Sequence, residues 1–146
     1  MIPARSPIAE PASLHRIAEG EFARRRADLA KALAAGQISA AAANANAQLW
    51  CAIAAHVGAR LQEIAVPTLY PIGGQRWLRA EDIADPASYR AECARAREVA
   101  ITKAEAQPEN LAAEQRARDL IALAEAIGAP SIDWSGPTTS TERKAA

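Results

Sequence analysis

Aromatic side chains are scarce in this sequence: three tryptophans, two tyrosines and one phenylalanine make up only 4% of it. Its core must therefore be filled by aliphatic carbon. Half of the residues are hydrophobic, and alanine dominates them. A buried CH₂ is worth only about 0.8 kcal/mol, so alanine-rich helices gain little per residue and must approach closely. Self-association would bury more apolar surface, and a homo-oligomer stays open. Cysteine is also sparse. Cys51 and Cys93 form no C-x-x-C pair and sit among apolar residues, which implies buried free thiols in a reducing compartment. Neither sign of charge is in excess, with 17 basic residues against 17 acidic ones. That balance argues against a partner held by bulk electrostatics, such as duplex DNA or an anionic membrane. No window approaches ~20 uninterrupted apolar residues, so no transmembrane helix is expected. The opening residues, from Met1 to Pro7, lack the apolar stretch of a secretory signal, and the chain reads as cytoplasmic.

Catalytic signatures are missing too. There is no Walker sequence, no G-x-G-x-x-G, no G-x-S-x-G and no H-E-x-x-H. The two histidines are His15 and His56. A His15/Glu19/His56 metal site is conceivable, but one His–Glu pair on a helix is more often a surface contact. No metal, no cofactor and no enzymatic activity are expected.

What the sequence does have is helical periodicity. Its 146 residues suggest one domain. Residues 1–11 read as an extended, proline-rich arm, 12–134 as a single helical domain and 135–146 as a disordered polar tail. The fold class is all-α: an antiparallel helical hairpin plus two further helices, with an irregular Pro/Gly loop between the second and third. The first helix, about 12–35, carries Leu14, Ala18, Phe22, Leu29 and Leu33 on one face and stops at Gly36. Ser39 caps a second helix running to about residue 65, with Leu49, Trp50, Ile53, Val57, Leu61 and Ile64 on its apolar face. So short a connection forces the two helices antiparallel, because each apolar stripe needs a partner. Residues 66–84 break the pattern with Pro67, Pro71, Gly73 and Gly74. Asp85-Pro86 opens the third helix, whose inner face is Tyr89, Cys93, Ala96, Ala100 and Ala104. Pro108 is placed at the first position of the fourth, with Ala113, Ala117, Leu120, Ala124 and Ile127 inward and Gly128 and Pro130 ending it. Ile132 and Trp134 are expected to tuck back as a clasp.

Two oddities interrupt the apolar stripes. At about 100° per residue, Arg25 falls near the middle of the first helix's apolar face and Asn46 in the centre of the second's. A hairpin turning near Gln37 places Arg25 close to Asn46 and Trp50. Glu21, one turn away, is the natural ion partner of Arg25. One reading is a satisfied polar layer of Glu21, Arg25, Asn46 and Trp50 that fixes helix register. The other makes this face a partner-binding surface with an Arg/Trp hot spot. Arg24 and Arg26 point outward beside Glu21 and Asp28, as on a solvated helix face, with phosphate contact as the sharper alternative.

The segment Glu19-Gly20-Glu21-Phe22-Ala23-Arg24-Arg25-Arg26, the turn Leu33-Ala34-Ala35-Gly36-Gln37-Ile38-Ser39 and the stretch Gln48-Leu49-Trp50-Cys51-Ala52-Ile53-Ala54 resemble a family of small helical-hairpin proteins. These are encoded by phages and prophages of proteobacteria and are mostly of unknown function. The matching positions are Glu21, Arg24, Arg25, Leu29, Leu33, Gly36, Ile38, Trp50 and Ile53. The resemblance covers about a third of the chain. It implies a viral or mobile-element origin and supplies no activity and no catalytic residue.

These features point first to a non-catalytic interaction protein that binds a host or viral protein through helical surfaces. Binding energy concentrates in Trp, Tyr and Arg. Tyr70, Arg76, Trp77 and Arg79 gather those types in one loop, which makes it the expected contact site. A competing view has Trp77 packed as a plug with its arginines in water. The alternative function is a nucleic-acid-binding accessory protein using Arg24, Arg26, Arg76 and Arg79. An exposed apolar patch around Trp50 or Trp77 would favour the first function; clustering of those four arginines would favour the second.

Overall fold

The computed structural model describes residues 11–58 and 79–137. Among them are five helices and no strand: α1 (Pro11–Ala34), α2 (Ala40–His56), α3 (Ala80–Ile83), α4 (Pro86–Ala106) and α5 (Leu111–Ala126). The chain is all-α. Residues 1–10 of the expected 1–11 arm, most of the loop between the second and third helices, and the end of the tail lie outside these residues, as do Leu61, Ile64, Tyr70, Arg76 and Trp77.

Helix ends fall where the sequence supplies caps. The Ser39 hydroxyl accepts from the Ala42 amide at 3.1 Å, and Asp85 Oδ2 accepts from the Ser88 amide at 3.1 Å. These side chains satisfy amides that have no carbonyl partner in the first turn. Gly36 adopts φ +73°, and the amides of Gly36 and Gln37 return to the carbonyls of Leu33 and Ala32. That double bond closes α1, and Gly128 closes α5 the same way.

Three boundaries differ from the reading of the sequence. The second helix ends at His56 rather than near residue 65, because Gly58 takes φ +89° and its amide bonds to Ala55. Pro108 does not begin the last helix. The Asn110 side chain caps it instead, accepting from the Ala113 amide at 3.0 Å, and Pro108 lies in the preceding turn. The third difference is α3, one short turn beside α2 that the proline-broken pattern concealed.

The helices α1, α2, α4 and α5 close a ring. α1 packs on α2, α2 on α4, α4 on α5, and α5 returns to α1 with the slightest contact of the four. Two contacts fix the α1/α2 register. Arg25 lies over Trp50, and a Cβ on Gly58 would meet His15 Nε2 at 2.9 Å. Both pairs stand nearly symmetrically about the Gly36 turn, so α1 and α2 run antiparallel.

The expected inner faces of the last two helices are all buried: Tyr89, Cys93, Ala96, Ala100 and Ala104 on α4, and Ala113, Ala117, Leu120, Ala124 and Ile127 at α5. Bulk in the core comes from Trp50, Phe22, Ile53, Leu120 and Leu123, against which the small residues of α4 fit closely. Beyond α5 the chain is tied back by arginines. Arg90 Nε donates to the Ile127 carbonyl at 2.7 Å, and Arg97 Nη1 to the Pro130 carbonyl at 2.7 Å. Trp134 Nε1 donates to Glu105 Oε1 at 2.9 Å, and Arg118 Nη2 to the Ser135 carbonyl at 3.2 Å.

Candidate functional site

The four ring helices each send a polar side chain into one layer. Glu21 and Arg25 come from α1, Asn46 and Trp50 from α2, Glu92 and Arg95 from α4, and Arg116 from α5. Trp50 is fully buried, and its Nε1 donates to Glu92 Oε2 at 3.0 Å. Asn46 Nδ2 donates to the same oxygen at 3.2 Å. Arg95 grips both oxygens of Glu92, Nε to Oε1 at 3.0 Å and Nη2 to Oε2 at 2.7 Å. Burial alone would raise the Glu92 carboxyl, but the bonds from Arg95 and Trp50 outweigh it and hold the group below the usual carboxylate range.

Glu21 is the second buried carboxylate. Arg116 holds it in a fork, with Nε to Oε2 at 3.0 Å and Nη2 to Oε1 at 3.1 Å. The expected partner, Arg25, is looser: its Nε stands 3.8 Å from Glu21 Oε1 and has no hydrogen-bond acceptor. Its guanidinium instead lies over the Trp50 ring, with Cζ 4.8 Å from the centroid, and feels both Glu21 and Glu92. The four residues read from the sequence as a polar layer are thus brought together. Glu92, Arg95 and Arg116 complete it and escaped that reading. A signal existed, since Glu92 and Arg116 fall three residues after Tyr89 and Ala113, on the edges of the apolar stripes.

Trp50 therefore forms no exposed patch, and the hot-spot reading of this face is overturned by its complete burial. Of the expected contact loop, only Arg79 is described. It precedes α3 with its side chain 82% exposed, 4.0 Å from Glu81. Arg24 is exposed, and Arg26 lies 6.0 Å from the Phe22 ring centroid.

Both thiols are sequestered. Burial pushes both the Cys51 and Cys93 thiols up to about 12, far from thiolate formation. His56 Nδ1 meets the Tyr89 hydroxyl at 2.6 Å. Among the described residues, no three His, Cys, Asp or Glu side chains are grouped to hold a metal ion. No described helix is long and apolar enough to cross a membrane.

Where α1 and α5 touch only slightly, an open groove of about 460 Å³ runs between them. Arg16, Gly20 and Arg24 line it from α1, and Gln115, Arg116 and Asp119 from α5. It continues past Arg24 and Arg116 into a smaller hollow of about 100 Å³ beside Lys103 and Asn110. Comparison with protein-family models, curated proteins and solved structures finds no match to the chain.

Proposed function

We propose that the chain is a non-catalytic helical interaction protein, of phage or mobile-element origin, that acts in the cytoplasm by binding a host or viral protein. One observation carries this reading: among the described residues, the two buried carboxylates and the two thiols are occupied or shut away inside the fold. Glu21 and Glu92 are clamped by arginines, and the thiols are held protonated. The Glu92 carboxylate, held below its usual range, is a poor general acid or base at neutral pH. The polar layer instead suits a register device, in which buried charges select one helix packing over its alternatives. The partner surface is expected to include Tyr70, Arg76, Trp77 and Arg79, the last of which projects into solvent.

Of the four arginines named for the nucleic-acid alternative, the three described do not share one site. Arg24 lines the α1/α5 groove, Arg26 lies by Phe22, and Arg79 stands ahead of α3 on the α2 side. Affinity capture with the full chain from cells carrying its gene, with and without nuclease, separates the two. A protein recovered in near-stoichiometric yield, resistant to nuclease and displaced by untagged chain, supports the reading. Recovery that collapses on nuclease treatment replaces it with the alternative.

A further inference from the structure

Gly20 lies in the interior of a 24-residue helix, where glycine is the weakest former after proline. Its backbone is not in the left-handed region, and a Cβ built on it meets nothing within 4 Å. Neither conformation nor internal packing requires glycine there. What its missing side chain leaves is space, and that space is the floor of the α1/α5 groove.

Cations stand around this floor. Arg16 and Arg24 flank Gly20 one helical turn away on either side, roughly 12 Å apart along the axis. Lys103 closes the smaller hollow beyond Arg24. Arg16, Arg24 and Lys103 have no ion-pair partner among the described residues. The groove's own carboxylates do not balance them. Glu21 is taken by Arg116 and Arg25, and Asp119, which keeps its charge, accepts from the neutral Gln115 Nε2 at 2.9 Å and forms no ion pair among the described residues; it offsets only one of the three cations. In a chain of zero net charge, this leaves a local excess of positive charge over a floor of apolar carbon from Ile17, Ala100 and Ala112.

We propose that the α1/α5 groove docks an acidic, amphipathic segment of a partner protein. Carboxylates about two helical turns apart reach Arg16 and Arg24 while small apolar side chains lie over Gly20. Discrete carboxylates fit better than a phosphodiester backbone, because Asp119 on the rim would repel a continuous line of phosphates. The proposal rests on the protein-partner reading above and names a surface for it.

Fluorescence anisotropy with the full chain tests it. The probe is a labelled helical peptide of Ala, Leu and Glu with its glutamates on one face; its Gln-for-Glu version and a labelled oligothymidylate serve as comparisons. The glutamate peptide should bind, and weaken as salt is raised. Arg16→Gln and Arg24→Gln should each weaken it roughly two- to fivefold, the size of a partly exposed charge contact. Lys31→Gln, outside the groove, should not. Gly20→Leu should abolish binding by filling the floor, with a melt no lower than that of wild type showing that the fold persists. Equal binding of the Gln peptide, undiminished binding to Gly20→Leu, or tighter binding of the oligonucleotide would each overturn the proposal. A partner captured from cells by wild type and Gly20→Leu alike would leave the interaction reading standing while removing the groove from it.

Discussion

The indole of Trp50 donates its one hydrogen bond to Glu92, a buried carboxylate reached across the α2/α4 interface at 3.0 Å. Asn46 and Arg95 complete the acceptor's shell. Replacing Glu92 by alanine strands a buried N–H and an amide, and should cost about 3 kcal/mol in urea denaturation. Arg95→Ala should cost under about 1 kcal/mol, because that guanidinium is 54% exposed. The Glu92 carboxyl is held below its ordinary value of 4.5, so the fold releases this proton more readily than the unfolded chain does. Its contribution is therefore fully present above pH 4.5 and lost as pH falls through the folded value. Glu92→Gln should show a shallower decline of stability in acid than wild type.

The three consecutive arginines of α1 should behave differently from one another. Arg25 covers Trp50 and stands 3.8 Å from Glu21, but Glu21 keeps its fork to Arg116 when Arg25 is removed. Arg25→Ala should thus cost about 1–2 kcal/mol, through lost ring contact and packing rather than a stranded charge. Arg24→Ala should stay within about 0.5 kcal/mol, as for an exposed site. Arg116→Ala leaves Glu21 with only the looser contact and should cost more than Arg25→Ala. Equal, small losses for Arg24 and Arg25 in thermal melts would remove Arg25 from the polar layer.

Much of this was legible in the sequence, and the misses have physical causes. Ser39, Asp85, Gly36 and Gly128 mark helix ends through local hydrogen bonding, which depends only on neighbours in the chain. Gly58 carries the same signal but lies inside an apolar periodicity that continues to Ile64 in the sequence, and one glycine does not by itself interrupt such a pattern. Arg25 and Asn46 stood out because they interrupt the centres of apolar stripes. Glu92 and Arg116 sit at stripe edges, where a charge normally reaches water, and only the closing of the ring buries them. The α1/α5 groove depends on how closely two sequence-distant helices approach, which no local pattern encodes.

Cys51 and Cys93 are buried, and burial pushes both thiols up to about 12. At pH 8 native protein should react with neither iodoacetamide nor an aromatic disulfide on the timescale of minutes, because the thiolate is the nucleophile. Both should become reactive in urea, with a midpoint matching the loss of helical circular dichroism. Rapid labelling of either cysteine without denaturant would contradict the packing of α2 or α4.

Gly20→Ala should stabilise the protein by about 0.4–1 kcal/mol. The added methyl meets nothing within 4 Å and needs no backbone change, while the unfolded chain loses conformational freedom. A fall in the denaturation midpoint would mean that α1 and α5 approach more closely than the groove allows.

His56 and Tyr89 meet edge to face, with ring centroids 5.6 Å apart and the hydroxyl 2.6 Å from Nδ1. Burial first, and then the nearby Arg90, lower the imidazole below its ordinary 6.5, against the opposing pull of Glu81. The neutral ring is therefore the favoured form in the fold, and the Tyr89 hydroxyl can donate to its Nδ1. Protonation turns Nδ1 into a donor and forces that bond to reverse. A depressed folded pKa means that the fold binds this proton less well than the unfolded chain. The stabilising contribution is thus complete above pH 6.5 and declines as pH falls through the folded value. Because His56 is exposed at its edge, the effect should be under about 1 kcal/mol after solvent screening. An NMR titration should place the His56 ring below 6.5. Arg90→Gln should move it part of the way back by removing a like charge, since burial, the larger cause, remains. A titration at or above 6.5 in the native protein would show that the ring is not held neutral.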